Sequence, residues 1–99
     1  MYVLEVMSGP LDGKTWTFEQ EITIGRDDAV AGACITIDRY ISRKHAKLYE
    51  EAGDLQLVDL ESRNGTQVDG REGRVGVQES KGRGVRFRAK SVLFTTKQP

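Results

Sequence analysis

Apolar residues recur at every second position along much of this chain, in short runs separated by turn residues, the pattern of half-buried β-strands. Val3-Leu4-Glu5-Val6 is the first run. Ser8-Gly9-Pro10-Leu11-Asp12-Gly13 follows with glycines, a proline and an Asp-Gly pair, all turn chemistry. Trp16 and Phe18 then alternate with Thr15, Thr17 and Glu19, and after Gln20-Glu21 the alternation resumes at Ile22 and Ile24, so this part reads as a β-hairpin. Cys34-Ile35-Thr36-Ile37-Asp38 predicts a further strand with Ile35 and Ile37 toward the core.

Between Arg39 and Ala52 a helix competes, because Ile41, His45, Leu48 and Ala52 fall on a 3.6-residue period. The reading adopted is a loop entering a strand, with Ala46 and Leu48 facing inward, His45, Lys47 and Tyr49 facing the other side, and a turn at Ala52-Gly53-Asp54. In the strand Leu55–Leu60 the apolar phase slips at Val58, which predicts a bulge or burial on both faces. Beyond it lie Gln67-Val68, a tight hairpin at Asp69-Gly70, and strands at Val75–Val77, Val85–Ala89 (Val85 and Phe87 inward) and Ser91–Thr95 (Val92 and Phe94 inward). Strands this short, without a long helical period, predict an all-β sandwich of mostly antiparallel strands.

Composition narrows the class. The 99 residues, 37% hydrophobic and 30% charged, suit one globular domain spanning 1–99, and no apolar run reaches the ~20 residues that cross a bilayer as a helix. One cysteine cannot form an internal disulfide, and the first residues lack the character of a secretion signal, so the expected setting is the cytoplasm. A single His and a single Cys offer no metal-ligand spacing, and no glycine-rich nucleotide loop is present; no metal and no cofactor are expected. Residues 1–70 carry seven Lys/Arg against thirteen Asp/Glu and residues 71–99 carry eight against two, for a net charge of zero. The basic run Arg83, Arg86, Arg88 and Lys90 alternates on a strand without a row of aromatic residues for base stacking, so nucleic acid is not the expected partner.

Three segments between strands carry the candidate chemistry: Gly25-Arg26, Ser42-Arg43-Lys44-His45 and Ser62-Arg63-Asn64-Gly65-Thr66. In a sandwich, loops gather at the two ends, so segments distant in sequence can share one rim. Arg26 offers a planar fork of donors and Ser42 a compact hydroxyl, both suited to a phosphate ester, while the Asn64 amide can pair with an extended peptide backbone. Taken singly, Arg26 would be a solvated cation beside Asp27 and Asp28, Ser42 a turn residue, His45 a satisfied buried imidazole and Asn64-Gly65 a common turn. Ser42 and His45 with Asp38 or Asp59 also name the parts of a hydrolase triad, but no Gly-x-Ser-x-Gly elbow accompanies them, so catalysis is not expected.

The three segments, in this order and spacing, resemble the forkhead-associated (FHA) domain, a phosphothreonine-binding β-sandwich of eleven strands. The resemblance rests on Gly25-Arg26, on Ser42-Arg43-Lys44-His45-Ala46, on Asp59-Leu60-Glu61-Ser62-Arg63-Asn64-Gly65-Thr66 and on Val68-Asp69-Gly70, and covers almost the whole chain. It implies an FHA-like sandwich of about eleven short strands with binding loops at one end. It also implies that Arg26 and Ser42 hold the phosphate, with Arg43 and Arg63 assisting, and that Asn64 holds the peptide backbone. His45 would brace the loops from behind, and Gly25, Gly65 and Thr66 would shape the site. The implied function is a non-catalytic adaptor for threonine-phosphorylated proteins or peptides, downstream of a Ser/Thr kinase and without a membrane role; such modules are often fused to an enzyme in a longer protein. A phosphate-independent interaction module of the same fold is the alternative. Two positions depart from the family: Asp69, where asparagine is frequent, and Lys81-Gly82-Arg83-Gly84, where a Gly-Asp turn is common. Ala29–Ala33 and Gly70–Arg74 are the candidate readers of residues flanking the phosphothreonine.

Overall fold

A computed structural model describes residues 1–36, 38–52, 54–68, 77–79, 86–89 and 92–97. The period-two pattern becomes ten strands among these residues: β1 (Tyr2–Val6), β2 (Thr15–Phe18), β3 (Glu21–Gly25), β4 (Ala33–Cys34), β5 (Ala46–Glu51), β6 (Asp54–Asp59), β7 (Thr66–Val68), β8 (Val77–Glu79), β9 (Arg86–Ala89) and β10 (Val92–Lys97). They form two five-stranded sheets, in the orders β2-β1-β10-β9-β7 and β4-β3-β5-β6-β8. Every described pairing is antiparallel except β3 with β4.

Alternate residues of each sheet meet in one core. Leu4 and Val6 of β1, Phe87 of β9 and Phe94 of β10 come from one sheet, and Ile24 of β3, Leu48 of β5 and Leu57 of β6 from the other, all at 1% exposure or less. Burying a side chain of this size contributes about 1.5–3 kcal/mol. The Phe87 and Phe94 rings stack with centroids 5.0 Å apart, and Tyr2 stacks on Phe18 at 5.3 Å.

Several expectations change in three dimensions. β1 and β2 are a true hairpin, but the alternation that continues into Ile22 and Ile24 belongs to the opposite sheet, because β3 pairs with β4 and β5 and not with β2. Alternation reports which faces are buried and not which neighbour supplies the hydrogen bonds. Around the predicted strand Cys34–Asp38, the described residues with ladder partners are Ala33 and Cys34, at Ile24 and Gly25; Ile35 is nevertheless buried. The phase slip at Val58 is not a bulge. The β5–β6 ladder runs without interruption from Ala46↔Asp59 to Glu51↔Asp54, and Leu55, Gln56 and Leu57 are all buried, so β6 is covered on both faces. Arg39–Ala52 forms a loop and then a strand, as read, but His45 does not share the outward face of Lys47 and Tyr49: it precedes β5 and is fully buried. The hairpin at Asp69-Gly70, the Lys81–Gly84 departure, and the inward placements of Ile37 and Val85 lie outside the described residues.

Candidate functional site

The loops after β3, before β5 and after β6 meet at one rim, and a glycine makes the first contact possible. A Cβ on Gly25 would lie 2.0 Å from the Arg43 carbonyl oxygen and 3.2 Å from that of Ser42, so only glycine lets the two backbones approach this closely. The Arg26 N–H consequently donates to the Ser42 carbonyl at 3.0 Å, and Arg26 Nε donates to the Ile41 carbonyl at 3.1 Å. Cys34 Sγ donates to the Arg26 carbonyl at 3.4 Å. Burial first, and then the Asp28 and Asp27 carboxylates, push the Cys34 thiol pKa up, which keeps that proton in place. Arg26 is exposed and makes no ion pair among the described residues, so Asp27 and Asp28 do not neutralise it. Asp27 instead accepts from the Ala29 N–H at 2.9 Å and shapes its own turn.

The loop before β5 opens on Asp38, whose Oδ1 accepts from the Tyr40 N–H at 2.9 Å, a local turn that the Asp side chain itself encodes. Ile41 is fully buried beneath it as an apolar anchor. At the other end of the loop, His45 Nδ1 accepts from the Ser42 N–H at 3.1 Å, while Nε2 lies 2.8 Å from the Gly65 carbonyl. A backbone N–H can only donate and a carbonyl can only accept, so the imidazole carries its hydrogen on Nε2. His45 therefore joins two of the three loops from behind. Both its nitrogens are occupied by backbone, which leaves none to take a proton from Ser42 Oγ, and the triad arrangement is absent.

The third loop is organised by the Asp59 carboxylate at the end of β6. Asp59 accepts from the Ser62 and Thr66 hydroxyls through Oδ1, the latter at 2.8 Å, and from the Ser62 N–H through Oδ2 at 3.1 Å. Ser62 Oγ in turn accepts from the Gly65 N–H at 3.0 Å. Ser62 and Thr66 are fully buried, and Gly65 turns the chain at a φ of +79°. Burial alone would raise the Asp59 pKa, but the Ser62 and Thr66 hydroxyls and the Ser62 N–H hold it below the ordinary carboxylate value. The only hint in the sequence is Asp59-Leu60-Glu61-Ser62, whose three-residue spacing suits a side chain closing a turn on its own backbone.

Loop-to-loop bonds complete the rim. Ser42 Oγ accepts from the Arg63 N–H at 2.9 Å, which leaves the hydroxyl hydrogen to donate elsewhere, and Asn64 Nδ2 donates to the Tyr40 carbonyl at 2.7 Å. In front of these bonds lies a cavity of about 290 Å³, whose described lining includes Arg26, Arg39, Ser42, Arg43, Arg63 and one acid, Glu61. Four guanidinium groups against one carboxylate leave it strongly cationic. The Arg43 guanidinium is exposed and has no partner among the described residues, and Arg39 leans on the Tyr40 ring, 5.3 Å from its centroid. The cavity thus gathers four predicted residues, Arg26, Ser42, Arg43 and Arg63, while Asn64 stands beside it and Gly25, His45, Gly65 and Thr66 support it from behind. Arg39, Tyr40 and Glu61 also join the lining. Glu61 holds a backbone φ of +56°, unusual for a side chain of its size.

The FHA domain family model matches residues 22–87, two thirds of the chain. Among solved structures, the FHA domain of the CT664 protein from Chlamydia trachomatis is 25% identical with a TM-score of 0.82, over 99% of this chain and 97% of that one. An FHA domain from a structural and functional analysis of phosphothreonine-dependent interactions is 24% identical with a TM-score of 0.79, over 99% and 96%. EmbR of Mycobacterium tuberculosis, in complex with a low-affinity phosphopeptide, is 21% identical with a TM-score of 0.77, over 97% of this chain and 24% of EmbR. No curated protein sequence matches the chain. With its matched segment running from β3 to β9 and enclosing all three loops, the chain belongs to the FHA domain family.

Proposed function

We propose that the rim binds a phosphorylated threonine in an extended protein segment, and that the domain is a non-catalytic adaptor for such partners. The observation that carries this reading is the single cavity formed by Arg26, Ser42, Arg43 and Arg63, residues brought together from three loops. A phosphate ester has a charge of about −1.5 to −2 near neutral pH and three acceptor oxygens. Arg26, already aimed by its Nε bond to Ile41, presents its terminal N–H groups, and Ser42 donates the hydrogen that its bond from Arg63 leaves free. Arg43 and Arg63 supply further charge. Asn64 keeps a carbonyl oxygen and one N–H for the backbone of the ligand beside the phosphothreonine. Relatives solved with a phosphopeptide, or in work on phosphothreonine-dependent interactions, support the same choice of ligand. The proposed setting is the cytoplasm, with a Ser/Thr kinase acting upstream.

Titrating the chain against a threonine-phosphopeptide library, with unphosphorylated and phosphoserine versions of each peptide, tests this. Phosphothreonine peptides are expected to bind at least about tenfold tighter than the unphosphorylated ones, the value of one charge-assisted hydrogen bond. Equal binding of phosphorylated and plain peptides overturns it.

A further inference from the structure

The loop after β6 sets one carboxylate among four guanidinium groups and leaves it unpaired. Glu61 lines the cationic cavity with Arg26, Arg39, Arg43 and Arg63, yet among the described residues its carboxylate makes no ion pair and no hydrogen bond. Accepting the phosphothreonine reading above, we propose that Glu61 selects the charge of the ligand beside its phosphothreonine, receiving a lysine or arginine side chain and turning away an acidic one.

The backbone holds the acid in place. On one side the Leu60 N–H donates to the His45 carbonyl at 2.9 Å, and on the other the Ser62 N–H donates to Asp59 Oδ2 at 3.1 Å. Between these two bonds Glu61 keeps its φ of +56°, a conformation that a long side chain adopts only where its surroundings impose it. A glycine would fit that backbone with less strain, so the turn itself does not call for a carboxylate. The Arg63 N–H, two positions on, donates to Ser42 Oγ, which fixes the acid relative to the hydroxyl proposed to hold the phosphate.

The chemistry of the rim then selects the partner of Glu61. A phosphate ester, anionic and rich in acceptor oxygens, satisfies guanidinium groups and a hydroxyl donor but offers a carboxylate only repulsion. What suits a carboxylate beside an anion site is a cation carried by the ligand itself, and Lys and Arg are the side chains that supply one at neutral pH. The cavity, about 290 Å³, is small, so that cation belongs to a near neighbour of the phosphothreonine along the ligand chain. Ala29–Ala33, a loop expected to read flanking residues, contributes none of the described lining of this cavity, and Gly70–Arg74, the other such loop, lies outside the described residues.

The test uses the full chain and one phosphothreonine peptide in which each flanking position in turn is Ala, Lys or Asp, with an unphosphorylated version of the Ala peptide beside it. At one position Lys is expected to bind about fivefold tighter than Ala and Asp about fivefold weaker, the value of an exposed charge pair. Glu61→Gln should bring Lys and Ala at that position to equal affinity, by tightening the Ala peptide and not the Lys one. Glu61→Gly removes the same carboxylate from a backbone that suits glycine, so it should lose the preference without a lower melting temperature. No position at which Lys binds tighter than Ala, or a Lys preference that survives both variants, overturns the selection by Glu61. The Ala peptide separates the two levels. If it binds in a phosphate-dependent way and no position prefers Lys, the phosphothreonine reading stands and the role of Glu61 falls. If no phosphopeptide binds, both fall.

Discussion

The front and the back of the rim are built from the same three loops but by opposite rules. Behind it, His45, Ser62 and Thr66 are at 0% exposure and their side-chain donors and acceptors meet partners within the loops. In front, Arg26, Arg43 and Arg63 are exposed, and four guanidinium groups crowd one cavity with a single carboxylate. The back satisfies every group because a buried unpaired one costs about 1–3 kcal/mol. The front tolerates like charges because water screens them. On the proposed reading, stability is concentrated in one layer and recognition in the other, and substitutions should separate them.

The largest effect is expected where the layers share a backbone contact. Gly25→Ala places a methyl against the Arg43 carbonyl and should cost about 3 kcal/mol, lowering the melting temperature by more than about 10 °C and abolishing phosphopeptide binding at once. A melting curve like that of the wild type would show that the contact is not obligatory. His45→Ala strips partners from the Ser42 N–H and the Gly65 carbonyl, and should cost about 2–3 kcal/mol of stability, visible in denaturant unfolding at least as clearly as in affinity. Weaker affinity with unchanged stability would move His45 to the front.

Arg26→Ala is the mirror case. It should weaken phosphopeptide binding by about tenfold to a hundredfold while calorimetry shows a nearly unchanged melting temperature. Ser42→Ala sharpens the comparison, because the same oxygen accepts the Arg63 N–H and so belongs to both layers; a modest loss of stability should accompany its loss of affinity.

Asp59 tests the back by pH. Its folded pKa lies below the unfolded value of about 3.9, so its stabilisation is complete above roughly pH 4 and is lost as pH falls through the folded value. Asp59→Asn should cost about 1.5 kcal/mol at neutral pH, with the gap from wild type narrowing in acid. A gap that stays constant down to pH 2 would rule out the carboxylate as its source. The smallest effect is expected at Glu61. Glu61→Gln removes the one acid of the described cavity lining and should tighten phosphopeptide binding by about two- to fivefold, since an exposed charge pair is worth no more than about 1 kcal/mol.

Much of this molecule was legible before folding. The period-two pattern marked Phe18, Ile24, Leu48, Phe87 and Phe94 as core because side chains on a strand alternate between faces. The three loops stood out because arginine, serine and asparagine next to glycine are poor material for a core and good material for gripping an anion. What lay beyond reach was everything set by which strand lies beside which. The crossing from β2 to the opposite sheet, the parallel β3–β4 pair and the regular ladder across Val58 depend on partners that a periodic pattern does not name.

The same division holds at the site. The sequence alone supplied the residue types and the turn at Asn64-Gly65, since these follow from local chemistry. Only the tertiary structure decided that Asp59 ties the third loop together, that His45 carries its hydrogen on Nε2, that Ser42 serves both layers, and that Arg39, Tyr40 and Glu61 line the cavity. Each of these is a relation between residues held in place by two packed sheets, and a hydrogen bond between distant loops leaves no trace in either loop by itself.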